Sequence, residues 1–292
     1  MKIVQRPDLK QMSTLKMGGQ ALAAYFPQDY LGLEALGKIW PELGPDVLIL
    51  GRGSNILFQD GIRGFSIIVW EKRDDPVVTD GIEGKVMVQV DSGMSLPGLL
   101  GWCAKHGLTG LEGLAGIPGR LGGAIAMNAG SYGAETGDAL KSVTVWTPDS
   151  GIVEISRDGF EAGYRKFRLK YMPEPFLILK ACFCFEKSDS VTVRSKMNKY
   201  YSLKKKSQPI LKNTCGCVFK NPDKLEPAGL LLEKAGFRGK TRGGVCFSAQ
   251  HSNFLVNLGR GGSREALELI SEARDAVLRI SGARLELEIK VV

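Results

Sequence analysis

One stretch limits the possible folds more than any other: GLEGLAGIPGRLGGAIAMNAGSYG, residues 110–133. Its glycines are too dense for a plain core segment, because a glycine has no side chain to pack and loses the most backbone freedom on folding. A backbone that must wrap closely around a ligand explains that density better than a run of hairpins. A shorter loop, Gly51-Arg52-Gly53-Ser54-Asn55, follows directly on the apolar run Val47–Leu50. Alone it reads as a tight turn. Beside 110–133 the ligand reading is favoured, since glycines let N–H groups approach a diphosphate and Ser54 and Asn55 add donors. Neither loop has the G-x-G-x-x-G spacing of a dinucleotide fingerprint. GFRGKT (236–241) ends like a phosphate-binding P-loop, but the required first glycine falls at Lys234, so that reading fails.

Around these loops the first half reads as short strands. DVLILGRGSNILF (46–58) is strand, loop and apolar resumption. GFSIIVW (64–70), KVMVQVDSG (85–93), KSVTVWTP (141–148), GIVEIS (151–156) and FLILKACFCFE (176–186) are predicted strands by their branched and alternating residues. SLPGLLGWCAKHG (95–107) predicts a helix with Pro97 in its first turn and Gly107 as its stop. Later, PAGLLLEKAGFRG (227–239) predicts a helix from Pro227 to near Gly236, and HSNFLVNLG (251–259) a strand. SREALELISEARDAVLRISG (263–282) is the clearest helix: Ala266, Leu267, Ile270, Ala273, Val277 and Leu278 repeat at helical spacing, Ser263 caps it and Gly282 ends it. LELEI (285–289) predicts a strand with Glu286 and Glu288 on one face. A boundary is expected near 187–195.

Basic residues number 39 and acidic ones 31, a net charge of +8. The excess is local: Arg194, Lys196, Lys199, Lys204, Lys205, Lys206 and Lys212 fall in 190–212 with no acid among them. Such a window reads as a solvated helix face or as a patch attracting anions. Tyr200 and Tyr201 alone are thin material for stacking bases, so no nucleic-acid partner is expected. Six cysteines are too few for a disulfide scaffold and lack paired C-x-x-C spacing, so no metal is expected. No apolar run approaches the roughly 20 residues of a membrane span, and MKIVQRPDLKQ has no signal core. A cytoplasmic monomer without a membrane partner is the expectation.

Eight segments together carry a resemblance: STLKMGGQALAAYFP (13–27), LGRGSNILF (50–58), GLAGIPGRLGGAIAMNAGSYG (113–133), GYRKF (163–167), CGCVFKNP (215–222), AGLLLEKAGFRG (228–239), HSNFLVN (251–257) and LELEI (285–289). In that order they resemble the UDP-N-acetylenolpyruvoylglucosamine reductase (MurB) family, and the compact 165–215 region resembles its type II branch. The resemblance implies an α+β fold: a two-subdomain FAD-binding domain of the vanillyl-alcohol-oxidase/p-cresol-methylhydroxylase type, then a smaller α+β substrate domain. That places the FAD domain at 1–190, with subdomains about 1–72 and 73–190, and the substrate domain at 191–292. It also implies the cofactors FAD and NADPH and the substrate UDP-N-acetylglucosamine enolpyruvate, reduced to UDP-N-acetylmuramate.

The same resemblance implies the site. Arg165, Cys217 and Glu288 take the catalytic positions. Gly51, Arg52, Gly53, Ser54, Asn55, Leu57, Gly116, Ile117, Pro118, Gly119, Gly122, Gly123, Ala124, Asn128 and Gly130 take the FAD positions. Tyr132, Gly216, Lys220, Asn221 and Asn253 take substrate positions. Two departures stand out. Cys217 replaces the family's usual serine, and its thiol, with a reference pKa near 8.5, donates a proton more readily than an alcohol. Phe167 stands where many relatives carry Ser. Cys215 is an unwanted oxidation partner for Cys217, and the two are expected to face opposite sides without a resting disulfide. Two other readings stay open: a flavin oxidase with FAD attached through His106 or a cysteine, and a basic nucleic-acid-binding protein built on 194–212, which leaves the glycine loops unexplained.

Overall fold

The computed structural model describes residues 1–292 apart from Pro45, Glu83, Pro173 and Lys224. The chain packs into two compact units that interleave along the sequence. The first holds Met1–Gln5, Ala23–Gly51 and Phe65–Leu203; the second holds Arg6–Leu22, Arg52–Gly64 and Lys204–Val292. The sequence suggested contiguous stretches meeting at 190/191. Instead residues 6–22 and 52–64 pack with the C-terminal stretch, and the change at 203/204 falls inside the helix Ser190–Ser207. Local patterns cannot report such packing, because it depends on pairings hundreds of residues apart.

In the first unit a four-stranded sheet runs in the order Lys2–Gln5, Ala23–Phe26, Ser66–Ile68, Val47–Ile49. The outer pair is antiparallel and the rest parallel. Helix α1 (Tyr30–Ile39) starts where the Asp29 carboxylate accepts the Gly32 N–H at 2.7 Å, and it lays Leu33 and Leu36 against Ile68, Trp70 and Trp146. A second, antiparallel sheet runs Gly151–Ser156, Leu140–Thr147, Leu177–Lys187, Lys85–Asp91, Val77–Ile82. The alternation in Leu177–Lys187 buries Ala181, Phe183 and Phe185 and leaves Cys182 and Cys184 half-exposed on the other face. Helix α2 (Leu96–Lys105) begins at Ser95, whose hydroxyl accepts the Gly98 N–H, and packs Leu96, Leu99, Leu100 and Cys103 into the same core.

In the second unit an antiparallel sheet runs Thr214–Cys217, Phe254–Asn257, Val245–Phe247, Thr241–Arg242. The long helix Ser263–Ser281 covers it with Ala266, Leu269, Ile270, Ala273 and Val277. Burying a residue such as Leu269 or Ile270 contributes about 1.5–3 kcal/mol each. Its inward stripe includes Leu269, while Leu278, expected inside, lies exposed. Nor does Ser263 serve as the cap. Gly262 is the capping residue, and the Asp60 carboxylate accepts both the N–H and hydroxyl of Ser263 at 2.8 and 2.9 Å. Residues 285–289 are not a regular strand. Leu285 and Ile289 point into the core, but pairing is limited to one bridge, Phe219 with Leu287. The ladder begins only at Lys290–Val291, parallel to Ile56–Leu57.

Candidate active site

In the first unit the glycine-rich segment forms an open cradle. Gly116 and Gly119 hold φ of +88° and +133°, a region that favours glycine. Gly122 lies so close to the end of strand Lys85–Asp91 that a Cβ would come 3.1 Å from that of Ser92, and its N–H donates to the Ser92 carbonyl at 2.9 Å. The N–H groups of Gly116, Gly119 and Gly123 meet no acceptor among the described residues. Gly119 is itself buried, and buried amides are almost always paired. Three such donors in one loop fit an anionic group held by backbone, as the FAD diphosphate requires. Pro118 is exposed and Ile117 half-buried beside them, while Ala124 is buried against the core.

The same segment is tied to Arg165. Strands Phe160–Gly163 and Lys166–Leu169 form a hairpin whose two-residue turn is Tyr164–Arg165. Arg165 sits at φ +54°, a left-handed conformation that costs a non-glycine residue about 1–2 kcal/mol. Residues held there mark functional positions more often than casual turns. Its Nη2 donates to the Gly130 carbonyl at 3.2 Å, and its guanidinium lies 4.9 Å from the Tyr164 ring centroid. Asn128, buried and at φ +44°, donates from Nδ2 to the Gly163 carbonyl and to Glu135, and accepts the Gly137 N–H. Asn128 therefore fastens the loop to the arginine's hairpin, leaving its amide no freedom to face a cofactor. Tyr132, also left-handed at φ +49°, is 43% exposed and stacks on Tyr200 at 5.1 Å. Phe167 packs into the core between Phe160 and Phe176.

In the second unit Cys217 and Glu288 come together. The Glu288 N–H donates to the carbonyl of Val218, the residue after Cys217, at 2.8 Å. Cys217 ends strand Thr214–Cys217, and Gly216 at φ +82° makes a bulge against Phe254–Asn257. Residues two apart in a regular strand share a face, so alternation alone would bring both sulfurs to one side. It is the bulge that separates them: Cys215 is fully buried in the core and Cys217 is half-exposed. Burial pushes the Cys215 thiol up to about 12, which keeps it inert. Neither is in a disulfide.

Other residues from the sequence reading have structural duties. Asn253 is buried, and its amide both donates to the Phe219 carbonyl (2.7 Å) and accepts the Phe219 N–H (2.9 Å), so it holds the segment after Cys217. Leu57 lies wholly inside the second unit's core. Asn55 donates from Nδ2 to the Glu288 carbonyl at 3.0 Å. Gly53, at φ +63°, touches Met12 so closely that a Cβ would overlap the Met12 carbonyl oxygen. The first loop thus divides: Gly51 belongs to the first unit, opposite Gly123, and Arg52 through Leu57 to the second. Arg52 is exposed and Ser54 half-buried. Lys220 pairs with Glu286 at 3.4 Å, and Asn221 accepts the Ala228 N–H at the start of helix Ala228–Lys234. Sequence reading missed Thr14, whose hydroxyl donates to the Thr214 carbonyl at 2.7 Å. Lys204, counted in the sequence with the basic window, is buried, and burial pushes it down to about 8. His106 stacks on Trp102 at 4.0 Å.

Comparison with known proteins matches these features. Residues 21–156 match the FAD binding domain family, and residues 208–292 match the UDP-N-acetylenolpyruvoylglucosamine reductase C-terminal domain family. The UDP-N-acetylenolpyruvoylglucosamine reductase of Nitratidesulfovibrio vulgaris is 42% identical over 292 residues, covering 100% of this chain and 99% of its own. That of Halalkalibacterium halodurans is 33% identical over 286 residues, 98% of this chain and 92% of its own. The crystal structure of the Thermus caldophilus enzyme superposes with a TM-score of 0.80 at 29% identity, covering 99% and 98% of the two chains. On full-length identity, then, the chain belongs to the UDP-N-acetylenolpyruvoylglucosamine reductase family.

Proposed function

We propose that the chain reduces UDP-N-acetylglucosamine enolpyruvate to UDP-N-acetylmuramate with NADPH, a step in peptidoglycan precursor synthesis. The full-length 42% identity to a reductase of that name carries the reading. When bound, FAD supplies the hydride relay between NADPH and the enolpyruvyl group. The protein's own tasks follow from the charge that develops. Hydride arrival at the methylene carbon leaves negative charge on its neighbour and on the carboxylate. Arg165 faces that charge with a planar, permanently protonated fork, and preorganised charge of this kind is usually the largest catalytic term. Glu288 shares a hydrogen bond with the same carboxylate. Cys217 delivers the proton to the carbanion.

In this reading Gly51, Arg52, Gly53, Ser54, Gly116, Ile117, Pro118, Gly119, Gly122, Gly123, Ala124 and Gly130 line the FAD, chiefly through backbone. Tyr132, Gly216, Lys220 and Asn221 meet the UDP-sugar. Residues 1–190 form the FAD-binding domain and 191–292 the substrate domain, with 6–22 and 52–64 packed into the latter's unit. No helix among the described residues is long and apolar enough to cross a membrane. The protein acts as a cytoplasmic monomer with no nucleic-acid partner.

The test is the visible spectrum of the purified holoprotein under nitrogen. NADPH in stoichiometric amount bleaches the flavin, and UDP-N-acetylglucosamine enolpyruvate restores the yellow. Cys217→Ser retains both phases, whereas Cys217→Ala bleaches normally and recovers its colour at least about 100-fold more slowly. A protein that takes up no FAD overturns the reading, and an unimpaired alanine variant removes Cys217 from it.

A further inference from the structure

Asn55 sits in a glycine loop whose composition points to diphosphate binding, yet its side chain is turned to the protein. Three segments of the second unit meet at Glu288. Its N–H donates to Val218, the neighbour of Cys217, at 2.8 Å. Its carbonyl accepts the Asn55 amide at 3.0 Å. The next-but-one residue, Lys290, donates its N–H back to the Asn55 carbonyl at 3.0 Å. Residues 285–289 lie outside the ladders, with the Phe219–Leu287 bridge beside them, so these bonds on either side of Glu288 help to hold its backbone. A carboxylate on an irregular segment points where its peptide plane directs it.

We propose that Asn55 is a positioning residue for Glu288: its amide clamps the Glu288 carbonyl and so holds the carboxylate in register with Cys217. The proposal rests on the reductase reading and assigns Asn55 to the second half-reaction rather than to cofactor retention. The Asn55 amide donates straight to the Glu288 backbone, with no intervening residue. Asn55→Asp keeps size but replaces that donor with a charged acceptor, and Asn55→Ala removes the donor without adding charge, so a defect common to both belongs to the lost bond.

The experiment uses the holoenzyme with Asn55→Asp and Asn55→Ala, in the two-phase spectral assay. Misplacement of a reacting group by about 1 Å costs on the order of 100-fold. The expected result is a 10- to 100-fold slower return of colour with the enolpyruvyl substrate, with bleaching by NADPH and the FAD dissociation constant within about threefold of the parent. Hydrogen exchange of the Glu288 amide in the FAD-free protein is expected to rise in both variants, a readout independent of turnover. Loss of FAD with unchanged exchange would make Asn55 a cofactor ligand and overturn the proposal, as would two variants that recolour at the parent rate. If the parent itself fails to recolour, the reductase reading falls and the exchange result still judges the clamp.

Discussion

The two glycine loops look alike in sequence and differ in what their backbones do. In 116–123 the N–H groups of Gly116, Gly119 and Gly123 meet no acceptor among the described residues, while that of Gly122 donates to Ser92. In 51–57 glycine serves contact between protein segments: Gly53 lets Met12 and Ser13 approach, the Thr14 N–H donates to the Gly53 carbonyl at 3.2 Å, and Asn55 reaches Glu288. Glycine density alone does not separate a ligand cradle from a tight junction. The close approach of another segment, as of Met12 to Gly53, does.

Three substitutions sharpen or break that contrast. The largest effect belongs to Gly53→Ala. A methyl group there overlaps the Met12 carbonyl and sits in a left-handed backbone, and together these cost about 3 kcal/mol or more. Urea denaturation of the FAD-free protein reads this directly; a loss seen only in FAD affinity would instead place Gly53 with the cradle. Next comes Asn128→Ala, which removes two donated bonds and one accepted bond from a buried left-handed position. A loss of about 2–4 kcal/mol is expected, with slowed turnover because the Gly163 carbonyl beside the Arg165 turn is no longer held. Unchanged stability would mean that this part of the segment is cradle rather than brace. Smallest is Gly123→Ala. The position is exposed, nearly 4 Å from Gly51, and helical. The FAD-free protein is expected to gain up to about 1 kcal/mol, while FAD binding, measured by fluorescence titration, weakens roughly tenfold because the methyl fills the approach of the diphosphate. Equal FAD affinity would remove Gly123 from the site.

Much of this was legible in the residues. Pro97 and Gly107 bracket the helix Leu96–Lys105, and the alternation of 177–187 sorts its cysteines from its phenylalanines, whereas the helix Tyr30–Ile39 behind Asp29 was not predicted. The glycine-dense run 110–133 stood out in the residues, but its density did not say which of its amides would lack a protein acceptor. What stayed hidden was tertiary. Leu57, Asn128 and Asn253 look like site residues because they stand inside site motifs, but each serves the protein's own packing or hydrogen bonds. LELEI alternates like a strand yet finds only one bridging partner, since a strand needs a neighbour that its own pattern cannot provide. The conformation of Arg165 gives no sign in its residue type; arginine at φ +54° is the opposite of what a turn would select.

The interleaved packing also sets an order of events in time. Asn55 and Glu288 stand 233 positions apart, and among the described residues the strand Ile56–Leu57 pairs with Lys290–Val291 alone. During synthesis the tail of the first glycine loop therefore leaves the ribosome long before its partner exists. The first unit can condense as Phe65–Leu203 emerges, but 6–22 and 52–64 must wait, with Leu15, Met17 and Leu57 still uncovered. Contacts this distant close slowly, and waiting apolar segments invite association with other chains. A nascent chain arrested before residue 290 should thus lean on chaperones more than a finished one, and the junction of the first glycine loop with Glu288 is among the last parts of the chain to come into being.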